Sequence, residues 1–593
     1  MNKLEEILEN KLSKKQRGVV FKKKGKFVVR ACPGSGKTYS VAARLAWKVG
    51  NWEHPYRGIA VLSFTNVAWH EIRDKLENNF NLKKSFDYPH FLGTIDSFIN
   101  QYIFLPFGHL VMDCQKRPVL VGEPHGSWAS GNYDEDYDRY FDSVSFGMED
   151  KLIFPEIPGL FHFGYNKFYN KDGNESGHAK RIRETKRIYW NQGYANQKDA
   201  NYFAMKIFEK YPKIAKALVF RFPEIIIDEA QDTSEVQMRI VDLLIENGLN
   251  KIMLVGDPDQ AIFEWNGAKP GLFEKKYSDW KSNSIELNEN RRSSQNICHF
   301  TYSISSLNSP SDAISDDVKN FSFVPEIIIY DSNSHDSITK TIDYFINLCK
   351  DHEISIDNKN VAILYRSKDF IFLIDNIIKE RTSNNSPWKI NDRLTRDFVQ
   401  GKYYCDNKQF KEGFKTIEKA VVKALENKNY CSVSDIKERI NKIEFVKHRL
   451  EVYRIYKQLP ETKINLNEWA KEAEVNFTKN GISIKVDTKT ENANVNIDEI
   501  FAMTKKEQFR KNYRLGTVHS VKGETFEAVL LFMKKKGAVG KYYKTLLEEG
   551  KITTDNEELR IVYVGITRPR KLLLIAVPSK EDKLCWENRL KKN

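Results

Sequence analysis

The chain has 593 residues, of which 41% are hydrophobic and 12% aromatic, so it is too long for one core and predicts about three to four domains. Its formal net charge of +14 favours a polyanionic partner, although a generally lysine-rich composition gives the same balance. No apolar run is long enough to span a membrane, and seven scattered cysteines without a CxxC pair argue against zinc, iron–sulfur and disulfide frameworks. The amino terminus has no secretory apolar region, so a reducing, cytoplasmic location is expected.

The first chemical signal is a predicted phosphate-binding loop between a strand and a helix. An apolar run at residues 27–29 precedes the loop, and a helical pattern follows at 39–49. Gly34 and Gly36 let backbone N–H groups converge on a phosphate, Lys37 can reach the outer phosphates, and Thr38 can ligate Mg²⁺. The loop consists of Ala31, Cys32, Pro33, Gly34, Ser35, Gly36, Lys37 and Thr38, with Ala31 where the strict pattern has Gly. By itself it predicts a nucleoside triphosphatase.

Polar and aromatic side chains follow two further predicted strands. Asp228 and Glu229 follow a run of three isoleucines, where Asp228 can hold Mg²⁺ through water and Glu229 can deprotonate an attacking water. A strand at 252–255 leads to Gln260, which is placed to sense the γ-phosphate. Phe263 and Trp265 come directly afterwards, and aromatic faces of this kind accept any base.

The remaining chain divides into a second α/β unit and two insertions. Residues 105–214 and 381–505 carry no recognisable nucleotide chemistry, and helical stretches are predicted at 409–426 and 433–453. A basic–aromatic stretch at 180–190 is either a nucleic-acid contact or a mixed surface with core aromatics. The second unit has strands at 327–329, 361–364, 529–532 and 573–577, and a helix from 557 that ends at a proline with an arginine in its last turn. Gln16, before the loop, can grip an adenine edge or belong to a solvated basic helix.

Taken together, the motifs between residues 12 and 571 resemble those of the UvrD/Rep/PcrA-type superfamily 1A DNA helicases. The resemblance implies an α/β fold of two RecA-like P-loop domains, with parallel sheets flanked by helices and a mainly helical insertion in each. In the family's nomenclature the implied domains are 1A (1–104 and 215–280), 1B (105–214), 2A (281–380 and 506–593) and 2B (381–505). ATP is expected between the two RecA-like domains.

The resemblance also implies roles for individual residues. Gln16 would read adenine, Lys37 and Thr38 would take phosphate and Mg²⁺, and Asp228 and Glu229 would be metal ligand and base. Three residues would contact the γ-phosphate, the last two like arginine fingers: Gln260, Arg292 and Arg568. Seven would contact single-stranded DNA: Phe64, Asn66, Thr94, Phe263, Trp265, Arg366 and His519. The implied activity is ATP-driven 3′→5′ movement on single-stranded or partly duplex DNA, with or without unwinding.

Several positions depart from the family pattern. Arg291 replaces the aromatic residue that stacks on adenine, although a guanidinium can also stack. Asn266 replaces an arginine after the family's tryptophan, and Glu524-Thr525 replaces Leu-Glu at the expected ribose contact. The second insertion is short for a housekeeping repair enzyme, and no carboxy-terminal nuclease motif is present.

Three functions remain open from the sequence. The first is a single-strand translocase or helicase in repair or recombination. The second is a DNA-sensing ATPase that acts as the regulatory subunit of a partner nuclease of the topoisomerase-primase type, as in Gabija-type phage-defence systems, with little or no unwinding. The third is a P-loop ATPase without nucleic acid, which the aromatic residues at Phe64 and Trp265 disfavour. No membrane partner is expected.

Overall fold

The computed structural model describes residues 11–80, 88–122, 144–153, 173–264, 267–366, 393–427, 433–486, 493–498, 512–533 and 557–591, together with residues 8, 370, 431, 488, 500, 547 and 548. The strands are β1 (Lys26–Ala31), β2 (Ile59–Ser63), β3 (Phe91–Thr94), β4 (Val119–Leu120), β5 (Ser145–Phe146), β6 (Leu152–Ile153), β7 (Tyr194–Ala195), β8 (Glu224–Ile227), β9 (Ile252–Gly256), β10 (Ile285–Leu287), β11 (Glu289–Asn290), β12 (Asp312–Ala313), β13 (Glu326–Ile329), β14 (Val361–Tyr365), β15 (Arg514–Thr517), β16 (Phe526–Phe532) and β17 (Pro569–Val577).

The helices surround these strands. They are α1 (Lys14–Arg17), α2 (Lys37–Gly50), α3 (Asn66–Phe80), α4 (Ile95–Ile99), α5 (Leu105–Phe107), α6 (His109–Met112), α7 (Gly177–Asn191), α8 (Gln197–Lys210), α9 (Pro212–Arg221), α10 (Glu235–Glu246), α11 (Pro270–Asp279), α12 (Gln295–Tyr302), α13 (His335–Asp351), α14 (Arg393–Asp406), α15 (Phe410–Glu426), α16 (Val433–Ile443), α17 (Phe445–Gln458), α18 (Leu466–Lys479), α19 (Glu557–Ile566) and α20 (Lys580–Lys591).

The first sheet is parallel and has the strand order β10-β1-β9-β8-β2-β3. Its central strands are buried along their whole length, as expected when helices cover both faces. Phe27 and Val29 pack on one face with α2 and α3, whereas Val28 packs on the other face with α8 and α10. This alternation follows from the two-residue period of a strand.

The second sheet is also parallel, in the order β13-β17-β16-β14-β15. Helix α13 covers one face through Ile338 and Phe345, and α12, α19 and α20 cover the other, with Trp586 fully buried. Two parallel sheets flanked by helices confirm the predicted α/β fold of two RecA-like units.

The chain segments between the sheet strands form two further groups of elements. Residues 105–214 contribute α7, α8 and two small two-stranded sheets, and Tyr189 and Trp190 are buried in the core beneath the first sheet. These aromatics are therefore core residues, whereas Lys180, Arg181 and Arg187 are exposed. Helices α14, α15, α17 and α18 share a separate core. The boundaries of the four predicted domains stay a prediction.

Two local expectations are corrected. The helix predicted at 433–453 is divided into α16 and α17, because Glu444 between them has a positive φ of 69°. The helix from Glu557 ends at Ile566, and β17 begins at Pro569, so Arg568 lies in the connection rather than in the last helical turn. Among the described helices, none is both long and apolar enough to cross a bilayer.

Candidate functional site

The loop between β1 and α2 has the shape required to hold phosphate. Gly34 and Gly36 have φ values of 73° and 76°, a region that favours glycine. A Cβ atom on Gly34 would lie 2.5 Å from Asn290 Oδ1, and one on Gly36 would lie 2.8 Å from Gln16 Nε2. Both glycines are therefore needed for conformation and for close approach. Gly36 precedes α2, so the loop N–H groups and the positive end of the helix face the same place.

Lys37 connects the loop to the carboxylates after β8. Its Nζ lies 3.7 Å from Glu229 Oε1. Burial disfavours the charged ammonium, but Glu229, Asp257 and Asp228 outweigh that effect and raise the pKa of Lys37 above its ordinary value. Lys37 is therefore a cation at neutral pH. A phosphate chain bound in the loop would take the place of Glu229 as the anionic partner of Lys37.

Asp228 has an oxygen suited to a divalent cation. Its Oδ1 accepts the Glu229 N–H at 3.0 Å, whereas Oδ2 is buried and has no hydrogen-bond partner among the described residues. Burial and the adjacent Glu229 raise the pKa of Asp228, although Lys37 acts in the opposite direction. Thr38 lies in the first turn of α2, after Lys37. A carboxylate and a hydroxyl, completed by phosphate oxygens, fit Mg²⁺.

Glu229 is held in a strained conformation by its neighbours. Its φ of 53° is uncommon for a side chain of this size. Gln231 Nε2 donates to Glu229 Oε2 at 2.6 Å, and Gln231 Oε1 accepts the Asp257 N–H at 3.1 Å. Burial acts against ionisation, but Lys37 and Lys522 lower the pKa of Glu229. The glutamate is thus an oriented carboxylate. Gln231 was not among the predicted site residues, although it lies only two residues after Glu229.

Gln260 and Arg568 join the two sheets across the cleft. Arg568 Nη2 donates to Gln260 Oε1 at 3.0 Å, and Gln260 Nε2 donates to Asp257 Oδ2 at 2.5 Å. Backbone carbonyls fix the arginine, with Val564 O at 2.9 Å from Nε and Glu524 O at 3.4 Å from Nη1. The Glu524 position thus contributes its carbonyl oxygen to this contact.

Arg292 and Arg568 place two cations at the cleft. Arg292 Nη1 donates to the Thr567 carbonyl at 3.0 Å, and neither arginine forms an ion pair within the described part of the chain. Burial, and for Arg568 also the charge of Arg292, lowers the pKa to about 10 for Arg292 and about 9 for Arg568. A polyanion between the sheets would relieve this repulsion.

Gln16, Arg291 and Tyr39 lie together at one end of the loop. The Gln16 amide donates to Ser35 O at 3.1 Å and accepts from Arg291 Nη2 at 3.2 Å. Arg291 N–H also donates to Gly34 O at 2.9 Å. Arg291, which replaces the family's aromatic residue, is therefore attached to the predicted adenine reader. Tyr39 lies close enough for Arg291 to lower its pKa, although burial raises it overall. Tyr39 was not among the predicted site residues, and its place directly after Lys37-Thr38 is the sequence signal that could have found it.

Aromatic side chains meet beside this cleft. The rings of Phe64 and Phe263 are stacked, with centroids 5.6 Å apart and planes at 27°. Lys522 Nζ lies 4.4 Å from the Phe263 ring centre and 2.7 Å from Asp232 Oδ2. Lys522 therefore bridges the carboxylates after β8 and an aromatic ring predicted to meet DNA. Trp265 lies outside the described residues.

The other predicted DNA contacts follow the carboxyl ends of strands in both sheets. Asn66 Oδ1 is exposed and accepts from Trp69 Nε1 at 3.1 Å, and Thr94 Oγ1 caps α4. Arg366 forms a two-point ion pair with Glu558, at 3.0 and 2.7 Å. Burial, followed by the charge of Arg366, lowers the pKa of His519 to about 4, so its ring is neutral at pH 7.

A P-loop between two RecA-like units, with arginines supplied across the cleft, defines a nucleoside-triphosphate-binding motor fold. The family models for the UvrD/REP helicase N-terminal domain and the UvrD-like helicase C-terminal domain match residues 12–114 with 162–281 and residues 380–580. The chain belongs to the UvrD-like helicase family.

Similar proteins carry related names. The chain is 27% identical to "DNA helicase II" of Haemophilus influenzae, over 50% of the chain and 40% of that protein. It is 23% identical to the "Probable DNA helicase II homolog" of Mycoplasma pneumoniae, over 98% of the chain and 86% of that protein. It is also 30% identical to "Exonuclease/helicase subunit RexA" of Lactococcus lactis, over 32% of the chain and 18% of that protein. The matched region thus spans less than half the length of two of these three relatives.

Proposed function

We propose that this protein is an ATP-dependent motor that moves along single-stranded DNA in the 3′→5′ direction and separates duplex DNA ahead of it. The observation that carries the proposal is the hydrogen bond between Gln260 and Arg568, which links the P-loop sheet to the second sheet at the phosphate site. A nucleotide held there would touch both units, so that its binding and hydrolysis change how they pack. Family membership supports the same function.

The hydrolytic chemistry follows from the charges of the cleft. Lys37, Arg292 and Arg568 supply three cations where charge develops on the γ-phosphate. Glu229, whose low pKa keeps it ionised, orients and deprotonates the attacking water, while Gln231 fixes its direction. Thr38 and Asp228 would hold Mg²⁺, which neutralises phosphate charge when bound. Carbonyl oxygens accept hydrogen bonds from both arginines and so orient their guanidinium groups in the cleft.

Coupling to DNA is assigned to the stacked pair Phe64 and Phe263. A base that inserts between these rings, or stacks on one of them, would move Phe263 relative to Lys522. Because Lys522 also binds Asp232, such a movement would reach the carboxylates beside Glu229. Arg366, His519, Asn66 and Thr94 would guide the DNA backbone. For Arg366 this requires release from Glu558.

The experiment that tests this function is strand displacement on duplexes with a single-stranded overhang at either end. We expect ATP-dependent displacement with a 3′ overhang and at least about 10-fold less with a 5′ overhang. Glu229→Gln is the matched control, since it removes the base while keeping the size of the side chain. Equal displacement from both overhangs would contradict the polarity.

A second candidate is a DNA-sensing ATPase that regulates a partner nuclease of the topoisomerase-primase type in phage defence. It is favoured by the ion pair of Arg366 with Glu558, which withholds a DNA contact, and by the similarity to a protein named as an exonuclease/helicase subunit. This candidate predicts DNA-stimulated hydrolysis without displacement from either overhang, and a stable complex with the nuclease encoded beside it. Displacement by the isolated protein would contradict it.

A further inference from the structure

Two loops and the last turn of α9 meet at the amino ends of β2, β3 and β8, at the end of the first sheet opposite the P-loop. They present Tyr56, Tyr88 and Phe220, which are 53%, 71% and 56% exposed. Single exposed rings are common on protein surfaces, but a cluster of exposed aromatic rings marks an interaction site. We call the following residues the amino-edge patch: Tyr56, Arg57, Tyr88, Lys213, Lys216, Phe220 and Arg221.

The rings of the amino-edge patch are held in place by guanidinium groups and backbone bonds. Tyr56 and Phe220 are stacked, with centroids 6.3 Å apart and planes at 29°. Arg57 lies 4.7 Å from the Phe220 ring centre, and its Nε donates to the Phe220 carbonyl at 2.9 Å. Arg221 lies 5.0 Å from the Tyr88 ring centre. The open rings are therefore fixed before any ligand arrives.

The backbone beneath these rings is equally constrained. Gly58 N–H donates to the Arg221 carbonyl at 2.9 Å, and Arg221 Nη1 donates to the Pro89 carbonyl at 2.6 Å. A Cβ atom on Gly58 would overlap the Pro89 carbonyl, so the loops fit only because glycine is present. Ordering the amino-edge patch on binding would therefore cost little conformational entropy.

The amino-edge patch carries four cations, Arg57, Lys213, Lys216 and Arg221. Lys213, Lys216 and Phe220 are spaced three and four residues apart and are all exposed on one face of α9. Within the described part of the chain, neither these lysines nor Arg57 and Arg221 form ion pairs with carboxylates.

The acidic residue at the start of β8 does not change this balance. Glu224 is buried and already paired with Arg44 and Lys48, at 3.3 and 2.9 Å. Open rings beside four cations match a ligand with stacked bases and phosphates.

We propose that the amino-edge patch binds a second segment of single-stranded nucleic acid, with bases on Tyr56, Tyr88 and Phe220 and phosphates on the four cations. A protein partner would also use tyrosine and arginine, but four cations that pair with no described carboxylate favour a polyanion. The DNA path of the proposed function is at the carboxyl ends of the strands, about 15 Å away along β2. One strand long enough to reach both places would bind by two attachments.

The test compares the affinities of the protein for a short and a long single strand, measured by fluorescence anisotropy at low salt without nucleotide. The probes are oligothymidylates of about 12 and about 60 nucleotides, of which only the longer can occupy both places. We compare the wild type with Tyr56→Ala/Phe220→Ala and with the control Phe410→Ala, whose ring is 53% exposed outside the amino-edge patch. The wild type and the control should bind the long strand at least about 10-fold more tightly than the short one. The double variant should lose this gain and keep both short-strand binding and hydrolysis stimulated by the short strand.

A double variant that keeps the full long-strand gain would overturn the proposal and leave the surface to a protein partner. If the double variant also loses thermal stability, Lys213→Ala/Lys216→Ala replaces it, because both side chains are exposed. For that variant, the slope of log affinity for the long strand against log salt concentration should be smaller in magnitude by about 1 to 2. An unchanged slope would count against the proposal. Phe64→Ala distinguishes the amino-edge patch from the DNA path of the proposed function. It should lose stimulation of hydrolysis by DNA and keep the long-strand gain in affinity.

Discussion

Lys522 is the residue at which coupling between DNA and ATP hydrolysis can be tested most sharply. Its ammonium lies 2.7 Å from Asp232 and 4.4 Å from the Phe263 ring centre, and Asp232 is only 1% exposed. Burial raises the pKa of Asp232 to about 6 even though Lys522 acts in the opposite direction. Replacing Lys522 by Met keeps the aliphatic stem on the ring and removes the charge that holds this carboxylate ionised.

The expected loss follows from the burial of this pair. Breaking a buried ion pair costs about 3–5 kcal/mol, part of which protonation of Asp232 recovers, so about 2–3 kcal/mol remains. If that energy stabilises the arrangement reached on DNA, DNA-stimulated hydrolysis should fall about 100-fold. Hydrolysis without DNA should fall less than about 10-fold, because the contacts of Lys522 are with Asp232 and Phe263 rather than with the P-loop.

Steady-state ATP hydrolysis with and without single-stranded DNA measures both rates. The control is Asp232→Asn, alone and combined with Lys522→Met. If the two residues act as one unit, the double variant should hydrolyse ATP on DNA no more slowly than the slower single variant. Equal losses with and without DNA, or additive losses in the double variant, would refute the coupling role.

Four further predictions follow from the cleft and the first sheet. Glu229→Gln should bind ATP normally in a nucleotide-binding assay and hydrolyse it at least about 100-fold more slowly, and retained turnover would exclude Glu229 as the base. Arg568→Ala should lower kcat about 10³-fold or more with little change in nucleotide affinity, whereas a change confined to KM would assign it to binding. Arg291→Ala should raise KM for ATP about 10-fold at nearly constant kcat, since its bond to Gln16 shapes the base site, and an unchanged KM would contradict this. Burial, followed by the charge of Arg221, lowers the pKa of His90 from 6.5 to about 4. The stability that neutral His90 contributes should therefore be complete above pH 6.5, and the free energy of unfolding should fall by about 2 kcal/mol by pH 5. A melting temperature with the same pH dependence in His90→Gln would count against this role.

The strands and the phosphate loop were predictable because each carries a local signal. Continuous apolar runs such as residues 225–227 predicted buried parallel strands, and the structure confirms them in both sheets. The glycines of the loop, and the carboxylates directly after β8, lie at the strand ends where the sequence pattern predicts them. These features are predictable from the sequence because the pattern of apolar and polar residues along a short segment determines which residues are buried.

Contacts between distant segments could not be read in the same way. Nothing near Lys522 in the sequence indicates that it binds Asp232, and nothing near Arg366 indicates its pairing with Glu558. The division of the 433–453 helix also escaped prediction, since the pattern on both sides of Glu444 is helical and only its positive φ separates the two parts. The first contact depends on how the two sheets pack and the second on how α19 packs beside β14, whereas the helix break depends on the backbone of one residue; a one-dimensional pattern contains none of these.

In the proposed function, a nucleotide cleft closed by Arg292 and Arg568 is linked to an aromatic DNA path. The most direct measurement is the rate of ATP hydrolysis by the wild-type protein at low salt, with and without oligothymidylate. We expect a rate at least about 10-fold higher with DNA, and loss of that increase in Phe64→Ala. An equal rate with and without DNA would contradict this link.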